Sequence, residues 1–423
     1  RSKTLVNALA RRIALCPNKL DEVQHLLVPK KQAIALRHFG EQLAYNDNGY
    51  ELLQKLVELT LQSNHLTCLD GYLSVVRKND PDKFHSMIEA FLESKETAWL
   101  GVSLTLYSEY DDGLFLVCMD AFDKKWVEPL LFGALRFGRA IESIPRERTG
   151  ALFHKLKERD DQISQSLLIE FLDSIPFDDT LPISPKFVYE VVTTIIPGEH
   201  NKNEMSSYHW KNVCLKLIKW DANYALPLLD YLLTKMGEVY RLSYDSNVEP
   251  LANQLVKSNP SGAWQIVRNH FEICLPKWRS DLYSWLKGGL SAFDQDNNSA
   301  AIIDLPVSEI IEWIEIDPVS RAGLIAHTTL ATLDDESGGL LTRELLHKYG
   351  NIDGVVSGIS ATFHSGGYSG LTSVHLKGKR DKLRKWLASG FKAGVVQWIE
   401  SEIKQLDKQI EHEEIYEERD RFT

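Results

Sequence analysis

Four prolines in this chain directly follow a short polar residue: Asp80-Pro81, Ser184-Pro185, Asn259-Pro260 and Asp317-Pro318. Such a polar side chain accepts a free N–H from the first turn of a helix. Proline in that turn forfeits no hydrogen bond, because its missing donor has no partner there. Each pair therefore predicts a helix start. Between these marks the apolar residues keep a helical period. In YELLQKLVELTLQ (50–62), Leu52, Leu53, Leu56, Val57 and Leu61 share one face. ALPLLDYLLTKM (225–236) and DLYSWLKGGLSAF (281–293) repeat the pattern. FVYEVVTTII (187–196) is rich in β-branched residues and reads as a strand or a buried helix; its helical surroundings favour the helix. Amphipathic segments of about 10 to 18 residues recur roughly twenty times, parted by short polar breaks.

So many modest helices with short links predict an all-α chain, arranged as an irregular α-solenoid of stacked antiparallel helix pairs. No tetratricopeptide, ankyrin or leucine-rich signature recurs at a fixed period, so the expected array is HEAT-like, with one or two compact helical domains as the alternative. GVVQWIESEIKQLDKQIEHEEIYEERDRF (394–422) reads as one long helix of rising acidity. Its apolar residues Val395, Val396, Ile399, Ile403, Leu406 and Ile410 follow three- and four-residue steps and then fade. That is the pattern of a terminal capping helix, with a short coiled coil as the rival reading. The expected division is an irregular helical-repeat array over 1–316, then C-terminal HEAT-like repeats and the capping helix over 317–423.

Composition narrows the function classes. With 423 residues, 43% of them hydrophobic, the chain can bury a large core. A formal net charge of -11 excludes a molecule built as a whole to coat nucleic acid or anionic lipid. Cys16, Cys68, Cys118, Cys214 and Cys274 are scattered and odd in number, which argues for buried thiols in a reducing, cytoplasmic setting rather than for disulfides or zinc. No apolar run approaches the ~20 residues that span a bilayer; LFLVCM (114–119) is core-sized, and no membrane partner is expected. The start, RSKTLVNALARRIALCPNK, is basic and amphipathic like a transit peptide, but it opens at Arg1 without methionine, which reads as a fragment or a processed chain.

Several fragments imitate catalytic motifs. Pro81-Asp82 followed by Glu93-Ser94-Lys95 matches the spelling of a metal-dependent nuclease. The residues between place Phe84, Met87, Ile88, Phe91 and Leu92 on one helical face, whereas the nuclease needs its carboxylates on adjoining strands. DQDNNSAAIIDL (294–305) opens like a calcium loop but has Ser299 where glycine is needed and Leu305 where the bidentate glutamate belongs. Read from Gly367, the stretch GGYSGL (366–371) nearly spells a nucleophile elbow, but Leu371 replaces the last glycine and a helix precedes it, so His364 and Ser369 make a poor catalytic pair. The chain has no phosphate-binding GxxxxGK[ST] loop and no paired metal-ligand histidines. The expectation is a non-enzyme without cofactor.

One cluster survives. Lys377, Lys379, Arg380, Lys382, Arg384 and Lys385 put six cations into nine residues, followed by Trp386. They are the candidate partner-binding residues. They could track a phosphate backbone, face an acidic protein, or lie against the acidic terminal helix near Glu400 or Glu402. Arg136, Arg139, Arg146 and Arg148 would join a nucleic-acid face if they stood beside Lys379 and Arg380.

From Asp317 onward, the stretches DPVSRAGLIAHTTL, LLTRELLHKYGNIDGVVSGISATFHSGGYSG and KLRKWL…GVVQWIESEIKQLDKQIEHEE carry a resemblance. A helix ending in Phe363, an SGGYSG bend, and a final helix pair bearing Trp386 and Trp398 resemble the C-terminal helical-repeat (HEAT-like) region of large bacterial multidomain antiphage-defence proteins. Many of those carry NTPase or nuclease modules. The resemblance implies a non-catalytic recognition or scaffolding module. Its partner would be a protein: a phage or host component, or other domains of the same system. A nucleic-acid-binding HEAT-like module using the local basic face is the alternative. In this reading the glycines of the bend turn the chain back, with Tyr368 packed into the joint.

Overall fold

The computed structural model describes residues 2–23, 33–106, 110–159, 161–178, 180–194, 204–236, 247–273, 279–288, 300–334, 338–365 and 371–420. Among these the chain is helical and forms no strand. Its contacts divide into two units, Arg1–Pro182 and Ile183–Thr423.

The first unit runs α1 (Ser2–Leu15), α2 (Leu20–Val23), α3 (Ala33–Asn46), α4 (Leu53–Ser63), α5 (Thr67–Asn79), α6 (Pro81–Leu92), α7 (Ala98–Leu106) and α8 (Asp112–Asp123). A 3-10 stretch, Pro129–Ser143, then leads to α9 (Arg146–Glu158) and α10 (Gln162–Ser174). The second unit runs α11 (Pro185–Thr194), α12 (Glu204–Trp220), α13 (Ala225–Met236), α14 (Val248–Ser258), α15 (Pro260–Ile273), α16 (Arg279–Leu286) and α17 (Ala301–Asp304). It continues through α18 (Val307–Ile316), α19 (Pro318–Ala326), α20 (Gly339–Tyr349), α21 (Asp353–His364), α22 (Thr372–Leu387) and α23 (Ala393–Asp420).

All four polar–proline pairs open helices, with proline as the first helical residue of α6, α11, α15 and α19. In each the preceding side chain accepts the N–H three residues on: Lys83 to Asp80 at 3.1 Å, Phe187 to Ser184 at 3.2 Å, Gly262 to Asn259 at 3.0 Å and Ser320 to Asp317 at 3.2 Å. The β-branched segment is helix α11, whose Phe187, Val188, Val191 and Val192 are buried; Ile195 and Ile196 lie outside the described residues. Apolar LFLVCM sits within α8.

Packing runs between helices close in the chain. In the first unit α3 packs on α1 and α5, α5 on α6, α6 on α7 and α8, and α10 on α9 and the 3-10 stretch. In the second, α13 packs on α11, α14 and α15, α18 on α15, α19 and α20, α21 on α19 and α20, and α22 on α23. The α3–α5 crossing is close enough to require glycine. A Cβ on Gly40 would stand 2.0 Å from the Cys68 carbonyl oxygen, and one on Gly71 would stand 2.0 Å from that of Arg37.

Side-chain hydrogen bonds tie these neighbours at recurring distances along the sequence. His38 Nε2 lies 3.1 Å from Asn7 Oδ1, 31 residues away. Lys55 reaches Asp21 across 34 residues, and Arg148 reaches Asp112 across 36. In the second unit, Asn247 donates to Ser207 across 40, Trp313 to Glu272 across 41 and Ser360 to Glu402 across 42. These separations are about the length of one helix pair, while others are shorter or longer: Trp210 donates to the Val192 carbonyl across 18 residues and Ser261 to Glu309 across 48.

Candidate partner-binding site

The six candidate cations lie on α22, and α23 lies antiparallel to that helix. Near its start, Ser373 N–H is accepted by Glu417 at 2.9 Å; further along, Lys377 Nζ meets Glu414 at 2.5 Å and Arg380 meets Asp407 at 3.2 Å. The Ser373–Glu417 bond supplies from another helix the anionic acceptor that the first turn of α22 lacks in its own sequence. The apolar seam is Leu383 and Trp386 against Val395, Ile399, Leu406 and Ile410, all buried. Trp386 and Trp398 are brought together, ring centres 6.4 Å apart, and Phe363 closes on Trp386 at 6.0 Å.

The cluster is divided by the helix turn. Lys377, Arg380 and Arg384 face α23, Arg384 standing 3.5 Å from Asp381 and 3.9 Å from Asp407. The acids of α23 that meet the cations are therefore Asp407 and Glu414, not Glu400 or Glu402. Glu402 serves a different set, accepting from Ser360 at 2.8 Å and Trp398 at 3.2 Å and meeting His364 at 2.9 Å. Burial pushes its carboxyl up, but those three bonds and the His364 charge outweigh burial and hold it below the usual range.

Lys379 and Lys382 occupy another face and are half-buried. Lys379 Nζ lies 5.5 Å from the centre of the Phe363 ring. Burial holds Lys379 below the usual lysine range; burial and then the Lys379 charge do the same to Lys382, with Asp334 acting weakly the other way. His375, one turn before Lys379, is depressed by burial and by that lysine. Lys385 is exposed. His375 and Phe363 were not among the sequence candidates, although His375, Lys379 and Lys382 at i, i+4 and i+7 already share a helical face.

The remaining motif fragments belong to other segments of the chain. Asp82 is exposed in the first turn of α6 and Glu93 caps its far end; eleven residues of helix place them about 16 Å apart along the axis. Ser369, Tyr368 and the rest of the SGGYSG bend after Ser365 lie outside the described residues, as do Asp294–Ser299 of the calcium-like loop, Cys274 and the Arg139 side chain. Arg136 pairs with Glu170, Arg146 with Asp178 at 3.5 Å and Arg148 with Asp112, all in the first unit. Cys68, Cys118 and Cys214 are buried and Cys16 is exposed; burial pushes the Cys68 and Cys118 thiols up to about 12. A cavity of about 30 Å³ between Thr105, Tyr110, Asp111, Phe115 and Ser143 has room for a water or two. Its carboxylate, Asp111, already caps α8 through Leu114 N–H at 2.9 Å. Among the described residues no helix is long and apolar enough to cross a membrane, and no three metal-ligating side chains gather.

Comparison with known proteins returns no matching family model, no matching curated protein and no matching solved structure.

Proposed function

We propose that the chain is a non-catalytic helical-repeat module that recognises a protein or holds an assembly together. Each unit would be an irregular, HEAT-like stack of antiparallel helix pairs, with α23 as the acidic cap of the second. In this reading the module works in the bacterial cytoplasm as part of a larger antiphage-defence protein. The observation that carries it is that many inter-helix bonds span about the length of a helix pair, together with packing between chain neighbours. Repeat stacks of that kind offer extended surfaces suited to recognition.

Further support comes from where apolar side chains reach the surface. Ile273, Ile316 and Val319 are 74%, 75% and 77% exposed. They lie on α15, α18 and α19, which Glu272 of α15 ties together by accepting from both Trp313 and Arg321 at 3.0 Å. Isolated exposed apolar residues need no explanation, but three on helices tied through one glutamate suit a contact surface.

The test is a pull-down from phage-infected and uninfected bacterial lysates, with and without nuclease. The expected result is one protein retained after nuclease, captured from infected cells, and lost from an Ile316→Glu, Val319→Glu variant. Loss of all retained material with nuclease would move the reading to nucleic acid, for which the face of Lys379, Lys382 and Lys385 is the favouring observation. Metal- or nucleotide-dependent turnover by the purified chain would overturn the non-catalytic part.

A further inference from the structure

Helix α22 pairs its cations with carboxylates on one face; on another, no such pair occurs among the described residues. Lys377, Arg380 and Arg384 each meet a carboxylate. Lys379 and Lys382, three residues apart on adjacent turns, do not: among the described residues no carboxylate lies within ion-pairing distance of either. The acid that acts on Lys382 is Asp334, through space, and Lys379 rests against the Phe363 ring. Both lysines are half-buried. A partly desolvated ammonium with no carboxylate in ion-pairing distance among the described residues is costly, and a second one on the next turn adds repulsion. A fold that needed only a solvated helix surface would gain by replacing either residue with a neutral one.

We propose that Lys379 and Lys382, with His375 above them on the same stripe, form a binding site for a phosphate monoester. The charge count selects that group. Two ammonium groups call for two negative charges on one small ligand. A phosphate monoester carries about -1.5 to -2 near neutral pH, whereas a carboxylate or a backbone phosphodiester carries one. Lysine is a compact point-charge donor suited to phosphate oxygens, and two on successive turns can hold separate oxygens. The site deepens the recognition reading, on which it rests only for the origin of the ligand, by naming the group a partner would present.

The test uses the full chain and thermal unfolding at constant ionic strength. Inorganic phosphate, at about 20 mM in place of chloride, is expected to raise Tm on the order of 3 °C. Lys379→Met with Lys382→Met should abolish that rise while leaving Tm in phosphate-free buffer equal to or above that of the unmodified chain. Lys385→Met should keep the rise. If the double variant does not fold, Lys382→Gln alone should at least halve the response. A capped phosphoserine peptide, set against its unphosphorylated form, separates the sources: a response to both phosphate probes assigns a phosphorylated protein, and a response to inorganic phosphate alone assigns a small free phosphate. No response of the unmodified chain beyond chloride overturns the site. So does an unchanged response in the double variant, or a lower Tm for that variant without phosphate, which would make the lysines structural. These outcomes are independent of the pull-down, so the site and the recognition reading can fail separately.

Discussion

At the scale of single residues, the fold leans on a few buried polar groups with several partners. Asp47 is only 6% exposed and accepts three hydrogen bonds, from the backbone of Glu51 at 3.0 Å, from that of Leu52 at 2.8 Å and from the Tyr72 hydroxyl at 2.7 Å. The acceptance both closes the turn after α3 and anchors α5 to it. Asp47→Ala would leave the buried Leu52 N–H and the Tyr72 hydroxyl without a partner, and we expect a loss of about 3 kcal/mol in urea unfolding, against about 1 kcal/mol for Tyr72→Phe. Equal midpoints for Asp47→Ala and the unmodified chain would show that water replaces the carboxylate. Glu402 is half-buried and likewise serves several partners. Its folded-state pKa lies below the unfolded value, so its contribution is present above about pH 4.5 and is lost as pH falls through the folded pKa. Replacing Glu402 with Gln should lower stability at neutral pH and flatten the acid limb of the stability curve. An acid limb of unchanged slope would place the proton uptake on other carboxylates.

At the scale of helices, the starts were legible in the sequence and the crossings were not. Helix starts depend on local chemistry, a capping side chain and a proline one residue apart, and all four predicted starts carry the expected bond. Ser184→Ala and Asn259→Ala should each cost about 1 kcal/mol, measured by chemical denaturation; no change in either would mean that solvent caps α11 and α15 equally well. The crossing of α3 and α5 depends instead on two glycines 31 positions apart. The available signal was weak: a glycine inside a helical pattern costs about 1 kcal/mol and is retained where packing requires it. Gly71→Ala should therefore raise the local helix propensity and still destabilise the first unit by about 3 kcal/mol, because the new methyl meets the Arg37 carbonyl oxygen. The basic cluster shows the same division. Its cations and the acidity of α23 were both plain in the sequence, but which acids oppose which cations follows from the antiparallel register of α22 and α23. That register is set by the buried seam rather than by the charges, which is why Asp407 and Glu414 stand where Glu400 or Glu402 was expected.

At the scale of the whole molecule, the all-helical class followed from the period of the apolar residues, whereas the division of contacts at Pro182 and Ile183 had no marker in composition. Helices that meet chiefly their chain neighbours should transmit a local disturbance only a short way. Native-state hydrogen exchange on the unmodified chain and on Gly71→Ala tests this most directly. The expected result is lost protection in α1, α3, α5 and α6, with α9 and α10 of the same unit keeping theirs. A uniform loss of protection from α1 through α10 would contradict the proposed stacked-pair organisation, and with it the extended surface that the proposed recognition function requires.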